Sequence, residues 1–288
     1  MMTISCPKEE LVMTTAKGED LILLLSTDKD IYQYDLSANR KLKLVDVGYI
    51  DSRYLRPMDY WLKGSINVMD LNTKQRKVLF NGTYAIAYAI AVDPSKGLIF
   101  WTDYTKIERA SMDGNDRMTI ANSSSPCCIA LDIFNERVYW ADDIKKTIAS
   151  VDYNGNDWRT ILHSDTLVQF PTSLAIFEEK LYWTDMYHKS VFVMNKFNGT
   201  EVRKLISVDG YDLLVNPYPV RVYHSAVQPE LPNKCDQHSC GDGAICLPKG
   251  NSFDKEGKPQ SRIGLPYSCV CADGYTTGKE PNTCVLGI

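Results

Sequence analysis

The chain has 288 residues, of which 44% are hydrophobic and 24% charged, and its formal net charge is −4. This length accommodates one large and one small folded domain, and the composition is that of an ordinary folded protein. The mildly acidic balance and the lack of a dense Lys/Arg run argue against nucleic acid as a partner.

The first residues carry no recognisable secretion or membrane signal. Residues 1–10 lack the apolar core of a signal peptide, and no stretch of about 18 apolar residues that could span a bilayer occurs in the sequence. We therefore expect no direct membrane insertion by this chain. Residues 1–19 are interpreted as a leftover upstream segment, and folding is expected to begin at residue 20.

Short strands are predicted from residue 21 onward. The run 21–28 is an apolar strand ending in Asp28, and 31–35 and 41–45 are two further short strands. No long apolar pattern with a helical period occurs between residues 20 and 228, so helices are not expected there. The region is therefore predicted to be all-β.

An aromatic–Trp–small–Asp quartet then recurs along the chain. A decayed copy at residues 60–63 comes first, and the intact copies place their tryptophans 39 and 43 residues apart. A period of about 40 residues is typical of a repeat fold, so the quartet residues are candidate structural residues. The intact copies are Phe100-Trp101-Thr102-Asp103, Tyr139-Trp140-Ala141-Asp142 and Tyr182-Trp183-Thr184-Asp185.

Each repeat contains about four short strands. An apolar strand ending in Asp93 or Asp132 precedes the first two intact quartets, and Phe177 replaces this acid before the third. A sheet of this size buries both faces only between neighbouring sheets, so the repeats predict a β-propeller. The hairpin turns that follow the quartets are Asp113-Gly114, Asn154-Gly155 and Asn198-Gly199.

The two ends of the repeat region are incomplete in complementary ways. The first repeat, from residue 21, lacks an opening strand, whereas 218–224 is an opening strand with no quartet after it. We predict that these two strands pair and fasten the ring, because pairing removes an open sheet edge. Five blades are recognisable in total.

The end of the sequence is rich in cysteine. Six of nine cysteines lie in the last 54 residues, a density typical of a small domain stapled by disulfides. Spacing alone leaves their pairing open, and the single residue between Cys269 and Cys271 does not fit the usual zinc spacing. The six are Cys235, Cys240, Cys246, Cys269, Cys271 and Cys284.

The remaining cysteines are Cys6, Cys127 and Cys128. Adjacent cysteines rarely bond to each other because the ring is strained, so we expect buried thiols at 127 and 128. Cys6 is compatible with a module cut away upstream.

Three Asn-x-Ser/Thr triplets agree with a secreted context, at Asn81, Asn122 and Asn198. Asn198 also has a sufficient explanation as a turn residue. A chain with disulfides and sequons but no secretion signal is expected to be a piece of a longer extracellular protein.

These repeats resemble the YWTD propeller, or class B repeat, of the low-density lipoprotein (LDL) receptor family. The resemblance rests on the quartets, the strands that end in Asp93 and Asp132, and the Asx-Gly turns. The cysteine pattern, with Cys269-Val270-Cys271-Ala272-Asp273-Gly274-Tyr275 as its most specific part, is similar to the EGF-like module that follows that propeller. The expected domains are a propeller over 20–229 and an EGF-like module over 230–288.

The resemblance implies disulfides Cys235–Cys246, Cys240–Cys269 and Cys271–Cys284. It also implies that the quartets are structural and that the EGF-like module packs on the propeller as a rigid unit. The family propeller has six blades, so the five recognisable here are a departure from it. Asp236 follows the first cysteine of the module instead of preceding it, and no calcium site is expected there.

No catalytic motif is recognisable, and we expect no enzyme activity, metal or cofactor. The sequence contains no Gly-x-Ser-x-Gly, His-Glu-x-x-His or phosphate-binding loop. A remote alternative is a calcium-dependent propeller hydrolase that uses Asp51, Asp93 and Asp132. The competing interpretation is that these acids end inner strands and bond to the turns.

The resemblance implies an extracellular fragment of an endocytic receptor that handles protein ligands, releases them with pH and is recycled. Its partners would be secreted proteins or the lipoprotein-binding modules of the same receptor, at the cell surface and in the endosomal lumen. The alternative is a nidogen-like adhesion module or a Wnt co-receptor module. Trp158 is a candidate interface residue or a cross-strand packing residue, and His188 and His224 are candidate pH sensors.

Overall fold

The structure is a computed structural model that describes residues 22–27, 30–35, 40–46, 65–70, 73, 75–81, 88–207, 217–223, 234–235, 240–250, 265–280 and 282–287. Every regular element among these residues is a β-strand. The chain divides into two compact units. Unit 1 takes the described residues between 61 and 122 and between 231 and 288, and unit 2 takes those between 12 and 60 and between 123 and 230.

Unit 2 contains three antiparallel sheets of four strands. The first has the order β18 (Pro217–Tyr223), β1 (Ile22–Thr27), β2 (Asp30–Asp35), β3 (Arg40–Asp46). The second has the order β10 (Pro126–Asp132), β11 (Arg137–Asp142), β12 (Thr147–Asp152), β13 (Arg159–His163). The third has the order β14 (Pro171–Phe177), β15 (Lys180–Asp185), β16 (Ser190–Asn195), β17 (Arg203–Ser207).

The predicted pairing of the two incomplete ends is confirmed within unit 2. Strand β1 runs antiparallel to β18, with Ile22 opposite Tyr223 and Leu25 opposite Val220. The late strand thus supplies the position that the first repeat lacks, and it covers the edge of β1.

The core of unit 2 lies between the faces of its sheets. One cluster joins the β10–β13 and β14–β17 sheets, and in it the rings of Trp183 and Phe192 stack with centroids 5.1 Å apart. A second cluster packs the opposite face of the β14–β17 sheet, including Tyr182, against Val220 and Val222 of β18. The Trp and the preceding aromatic residue of this quartet therefore face different neighbouring sheets, since adjacent strand residues point to opposite faces.

Unit 1 contains the remaining blade strands. A four-stranded sheet has the order β6 (Ala89–Asp93), β7 (Leu98–Asp103), β8 (Lys106–Ser111), β9 (Met118–Asn122). The sheet of the decayed repeat shows two strands, β4 (Ser65–Met69) and β5 (Arg76–Asn81), and Trp61 lies outside the described residues. The two sheets pack together through Phe80 and Trp101, whose ring centroids are 5.0 Å apart.

The cysteine-rich part of unit 1 consists of two small hairpins. They are β19 (Ala244–Pro248) with β20 (Tyr267–Cys271), and β21 (Tyr275–Thr277) with β22 (Cys284–Leu286). Disulfides join Cys235 to Cys246, Cys240 to Cys269 and Cys271 to Cys284, which are the pairs implied by the family resemblance. The covalent links compensate for the small apolar core of this segment.

The hairpins share an apolar core with the blade strands of unit 1. Val68 of β4 forms a buried cluster with Ile245, Leu247 and Ala272, against which Leu79 of β5 also packs. This shared core means that the hairpins do not depend on their disulfides alone.

Hydrogen bonds extend this contact inside unit 1. The Asp273 backbone NH donates to the Arg76 carbonyl at 2.7 Å, and its carboxylate accepts from the Val78 NH at 3.3 Å. Ser268 Oγ donates to Asp113 Oδ2 at 2.6 Å. Burial acts to raise the pKa of Asp113, but the bonds from Ser268, Ser111 and Asn115 outweigh it, so the pKa is lowered.

The contact between the cysteine-rich hairpins and the blade strands of unit 1 also needs a glycine. Gly97 has φ +69°, and a Cβ there would lie 2.3 Å from the Lys249 carbonyl oxygen.

No helix in the described part of the chain is both long and apolar enough for a bilayer crossing.

Candidate functional site

The quartet aspartates hold the turns that shape one edge of unit 2. Asp142 is fully buried, and its Oδ2 accepts hydrogen bonds from Ser123 Oγ, Ser124 N and Ser125 N at 2.5, 2.7 and 3.2 Å. Its Oδ1 accepts from the backbone NH groups of Ile144 and Lys145 at 3.1 and 2.8 Å. One carboxylate thus joins the connection before β10 to the turn after β11.

The same carboxylate has a perturbed proton affinity. Burial acts to raise the pKa of Asp142, but donors from Lys145, Ser123, Ser124 and Ser125 stabilise the charged form more strongly, so the pKa is lowered. Asp185 repeats the arrangement, with Oδ2 accepting from Gln169 N and Phe170 N and Oδ1 from His188 N. These aspartates therefore fix backbone geometry.

The turns held in this way present an exposed apolar surface. We call Ile144, Phe170, Tyr187 and His188 the turn patch. Ile144 is 68% exposed and Tyr187 73%. Two bonds tie the segments of the patch together: Met186 N donates to Phe170 O at 2.9 Å, and Lys146 Nζ donates to Gln169 O at 2.7 Å. Exposed aromatic side chains on rigid turns are typical of protein-binding surfaces.

His188 lies inside the turn patch. Its Nε2 is 2.6 Å from the Thr166 carbonyl oxygen, and its ring meets the rings of Tyr187 and Phe192 edge-on, at 5.2 and 5.4 Å. Because Nε2 faces an acceptor, it carries the proton in the neutral ring, and protonation then adds a charge at Nδ1. The other proposed sensor, His224, lies outside the described residues.

A cleft of about 410 Å³ opens among the other turns of unit 2, where β10, β14 and β16 end. Its floor contains a buried ion pair, with Lys196 Nζ 2.5 Å from Asp132 Oδ2. Asp132 also accepts two bonds from Asn135, at 3.3 and 2.8 Å, so its charge is fully engaged within the fold.

The walls of this cleft are apolar and its rim is acidic. Phe134 is 76% exposed, Phe197 is also exposed, and Glu178 and Glu179 lie at the rim. Aromatic walls beside carboxylates suit an apolar side chain that has a basic neighbour.

The acids considered for hydrolysis are bonded to turns where the structure describes them. Asp93 Oδ1 accepts from Ser95 Oγ at 2.5 Å and from Lys96 N at 3.1 Å, and Asp132 is paired with Lys196. Asp51 lies outside the described residues. Within the described part of the chain, no cluster of three or more His, Cys, Asp or Glu side chains could hold a metal ion.

Trp158 has both of the properties between which the sequence left a choice. Its ring packs edge-on against Trp140 with centroids 4.7 Å apart, while 46% of its surface stays exposed.

Of the sequons, Asn122 and Asn198 are exposed, and Asn198 Oδ1 accepts bonds from Thr200 N and Oγ1. The side chain of Asn81 is not among those that the structure describes.

The Lys196–Asp132 pair was missed by sequence reasoning. Lys196 follows β16 at the place where Met112 follows β8 and Tyr153 follows β12, and all three are buried. A lysine at a repeat position otherwise occupied by large, mostly apolar side chains is a detectable signal of a buried partner.

Comparisons with known proteins agree with this architecture. Residues 136–178 match the family described as low-density lipoprotein receptor repeat class B. The vitellogenin receptor Yl of Drosophila melanogaster is 36% identical over 203 residues, which are 69% of this chain and 9% of that protein. The vitellogenin receptor of Solenopsis invicta is 30% identical over 200 residues, which are 68% of this chain and 10% of that protein. The chain thus spans about a tenth of the length of these relatives.

A solved structure supports the fold alone. A chain in a crystal structure of a nidogen/laminin complex has a TM-score of 0.50 and 19% identity, and the match covers 71% of this chain and 85% of that one. The four-stranded sheets, the buried quartets and the disulfide-bonded hairpins define a YWTD-type β-propeller region with an EGF-like module. The chain belongs to the low-density lipoprotein receptor family, as a class B repeat region.

Proposed function

We propose that this region is an extracellular, non-enzymatic part of an endocytic membrane receptor, and that it binds secreted proteins or the receptor's own acidic ligand-binding modules. The observation that carries the proposal is the turn patch, where Ile144, Phe170 and Tyr187 are exposed and the Tyr187 ring meets that of His188. Receptors among the relatives support the class of function. The absence of enzyme activity is supported by the engagement of Asp93 and Asp132 in turns and an ion pair.

Release in the endosome would depend on the charge of the turn patch. Charged groups near His188 are Asp185 in its own turn, Lys189 beside it, Asp165 in the connection that bears Thr166, and Lys146 in the neighbouring turn. Histidine is the side chain type that gains a proton between the cell surface and the endosome, and a positive charge on the His188 ring would lie beside these lysines. An acidic module would then bind more tightly and displace ligand.

The test measures the affinity of a calcium-loaded acidic six-cysteine module for the purified chain at about pH 7.4 and about pH 5.5. We expect binding to strengthen about three- to tenfold in acid, the effect of one added charge near a binding surface. His188→Ala should remove this gain, and His163→Ala, at an exposed histidine elsewhere in unit 2, should retain it.

The results separate the site from the function. An unchanged pH response in His188→Ala excludes His188 as the sensor. Absence of any pH response, with ligand binding intact, favours a constitutive adhesion module such as the nidogen-like alternative. Binding that survives Tyr187→Ala combined with Ile144→Ala shows that the turn patch is not the contact surface.

A further inference from the structure

Two adjacent cysteines meet at an irregularity in strand β10. In the pairing of β10 with β11, Pro126 lies opposite Asp142 and Cys128 opposite Ala141, so Cys127 has no opposite residue. Adjacent side chains of a regular strand point to opposite faces, whereas an extra residue of this kind re-aims them. The Cys127 and Cys128 Sγ atoms are consequently only 3.3 Å apart.

The irregularity belongs to the repeat, but the thiols do not. In the next sheet, Pro171 lies opposite Asp185 and Ser173 opposite Thr184, so Thr172 is skipped in the same way. Thr172 and Ser173 therefore take the places of Cys127 and Cys128. The skipped residue occurs in both sheets, but only the β10–β13 sheet carries a pair of sulfurs there.

The thiols lie at the junction of the two sheets. Cys128 is buried and Cys127 partly buried. Cys127 Sγ donates towards the Pro171 carbonyl oxygen at 3.1 Å, at the first residue of β14, and it also approaches the Ala141 carbonyl at 3.5 Å. A change in the bonding of this sulfur would therefore alter its contact with the neighbouring β14–β17 sheet.

We propose that Cys127 and Cys128 form a vicinal disulfide in the mature protein and that its reduction changes the junction between the β10–β13 and β14–β17 sheets. The oxidant is a low-molecular-weight disulfide such as oxidised glutathione. Each thiol loses a proton and an electron, the Sγ–Sγ bond forms, and the oxidant's own disulfide accepts both electrons and protons to leave as two thiols. The three disulfides of unit 1 require the same oxidising environment.

Oxidation is expected early in folding. The hydrogen bond with Cys128 and burial raise the pKa of Cys127 well above its ordinary value, so little reactive thiolate exists once β10 is packed. The bond would therefore form before the sheets dock, while both thiols are accessible to the oxidant.

Reduction is expected to be easier than for the other disulfides. Consecutive Cα atoms are about 3.8 Å apart, closer than the roughly 4.4–6.8 Å of ordinary disulfides. The three disulfides of unit 1 have Cα–Cα distances of 6.0, 5.4 and 5.5 Å, inside that range. The strained vicinal bond should open first when a thiol reductant is added.

Peptide mapping tests the bond directly. The secreted chain is denatured in N-ethylmaleimide without reductant, deglycosylated and cut with trypsin, which releases residues 118–137 with Cys127 and Cys128 as their only cysteines. We expect this peptide to be unalkylated and two hydrogen atoms lighter than its dithiol form, and to take up two alkyl groups after mild reduction. Two alkyl groups without reduction, or a link to another cysteine, would overturn the proposal.

A matched variant tests the effect on the junction. Cys127→Thr with Cys128→Ser reproduces the Thr172-Ser173 pair of the neighbouring sheet. We expect the melting temperature of the wild type to shift by a few degrees at a reductant dose that alkylation shows to leave the other disulfides intact, and that of the variant to stay constant. A constant wild-type melting temperature removes the junction effect, and the peptide map still decides the bond if the variant fails to fold.

Discussion

Replacement of Asp142 by asparagine should destabilise unit 2 strongly, although it changes neither size nor shape. The carboxylate is buried and accepts five hydrogen bonds, three at Oδ2 and two at Oδ1. An amide keeps only one acceptor oxygen. Whichever way it is oriented, its NH₂ group faces donors from the Ser123–Ser125 connection or from the Ile144–Lys145 turn.

The expected loss of stability is set by the amide orientation that loses fewer hydrogen bonds. If the NH₂ group faces Ile144 and Lys145, two charge-assisted bonds are lost, each worth about 1.5–3 kcal/mol, so the expected loss is about 3–6 kcal/mol. Asp103 provides a matched control at the same quartet position. It is only partly buried, and among the described residues its carboxylate accepts one bond, from Tyr104 N at 2.5 Å, so Asp103→Asn should cost about 1 kcal/mol.

Urea unfolding followed by tryptophan fluorescence measures both variants, and the pH dependence supplies a second criterion. Since the pKa of Asp142 is lowered by folding, its contribution is complete above the unfolded value of about 3.9 and disappears as pH falls through the lower folded value. The gap between wild type and Asp142→Asn should therefore narrow in strong acid. Equal losses for Asp142→Asn and Asp103→Asn at neutral pH would refute the reasoning.

Three further substitutions test packing and charge. Lys196→Met leaves the buried Asp132 carboxylate without its ammonium and should cost about 3–5 kcal/mol in urea unfolding, whereas Lys196→Met with Asp132→Asn should recover most of the loss; a harmless single variant would contradict the buried pair. Gly97→Ala should lower the melting temperature of unit 1 more than Gly274→Ala, because both have positive φ but only Gly97 has a carbonyl oxygen in the way; equal effects would argue against the close approach. Leu247→Ala, at a fully buried position, should cost about 2–5 kcal/mol against almost nothing for the exposed Leu286→Ala, and denaturation midpoints that coincide would exclude the shared core.

Much of the fold was predictable because the repeats encode it locally. The quartets lie on β7, β11 and β15 as the period indicates, and the pairing of β1 with β18 follows from a missing strand at one end and an extra strand at the other. These inferences need only the chain's own pattern of apolar and turn residues. The predicted boundary between residues 229 and 230 stays a prediction.

The side-chain chemistry was less predictable, because it depends on contacts between repeats. Lys196 and Asp132 lie on different blades, and the sequence around either residue does not indicate the other as its partner. The closeness of the Cys127 and Cys128 sulfurs depends on a skipped residue in a strand pairing, which no composition or spacing records. The sequence supported only the general expectation that adjacent cysteines stay apart as buried thiols.

The pairing of Ile22 with Tyr223 has a consequence for biosynthesis. During translation, β1 emerges long before its partner, so one side of it stays without its native neighbour until almost the whole blade region has been made. Contacts of such long sequence separation form slowly and leave an aggregation-prone edge in the meantime. A ribosome stalled after residue 207 would therefore hold a nascent chain in which β1 still lacks β18, and the first sheet of unit 2 could not be completed until residues 217–223 had been made.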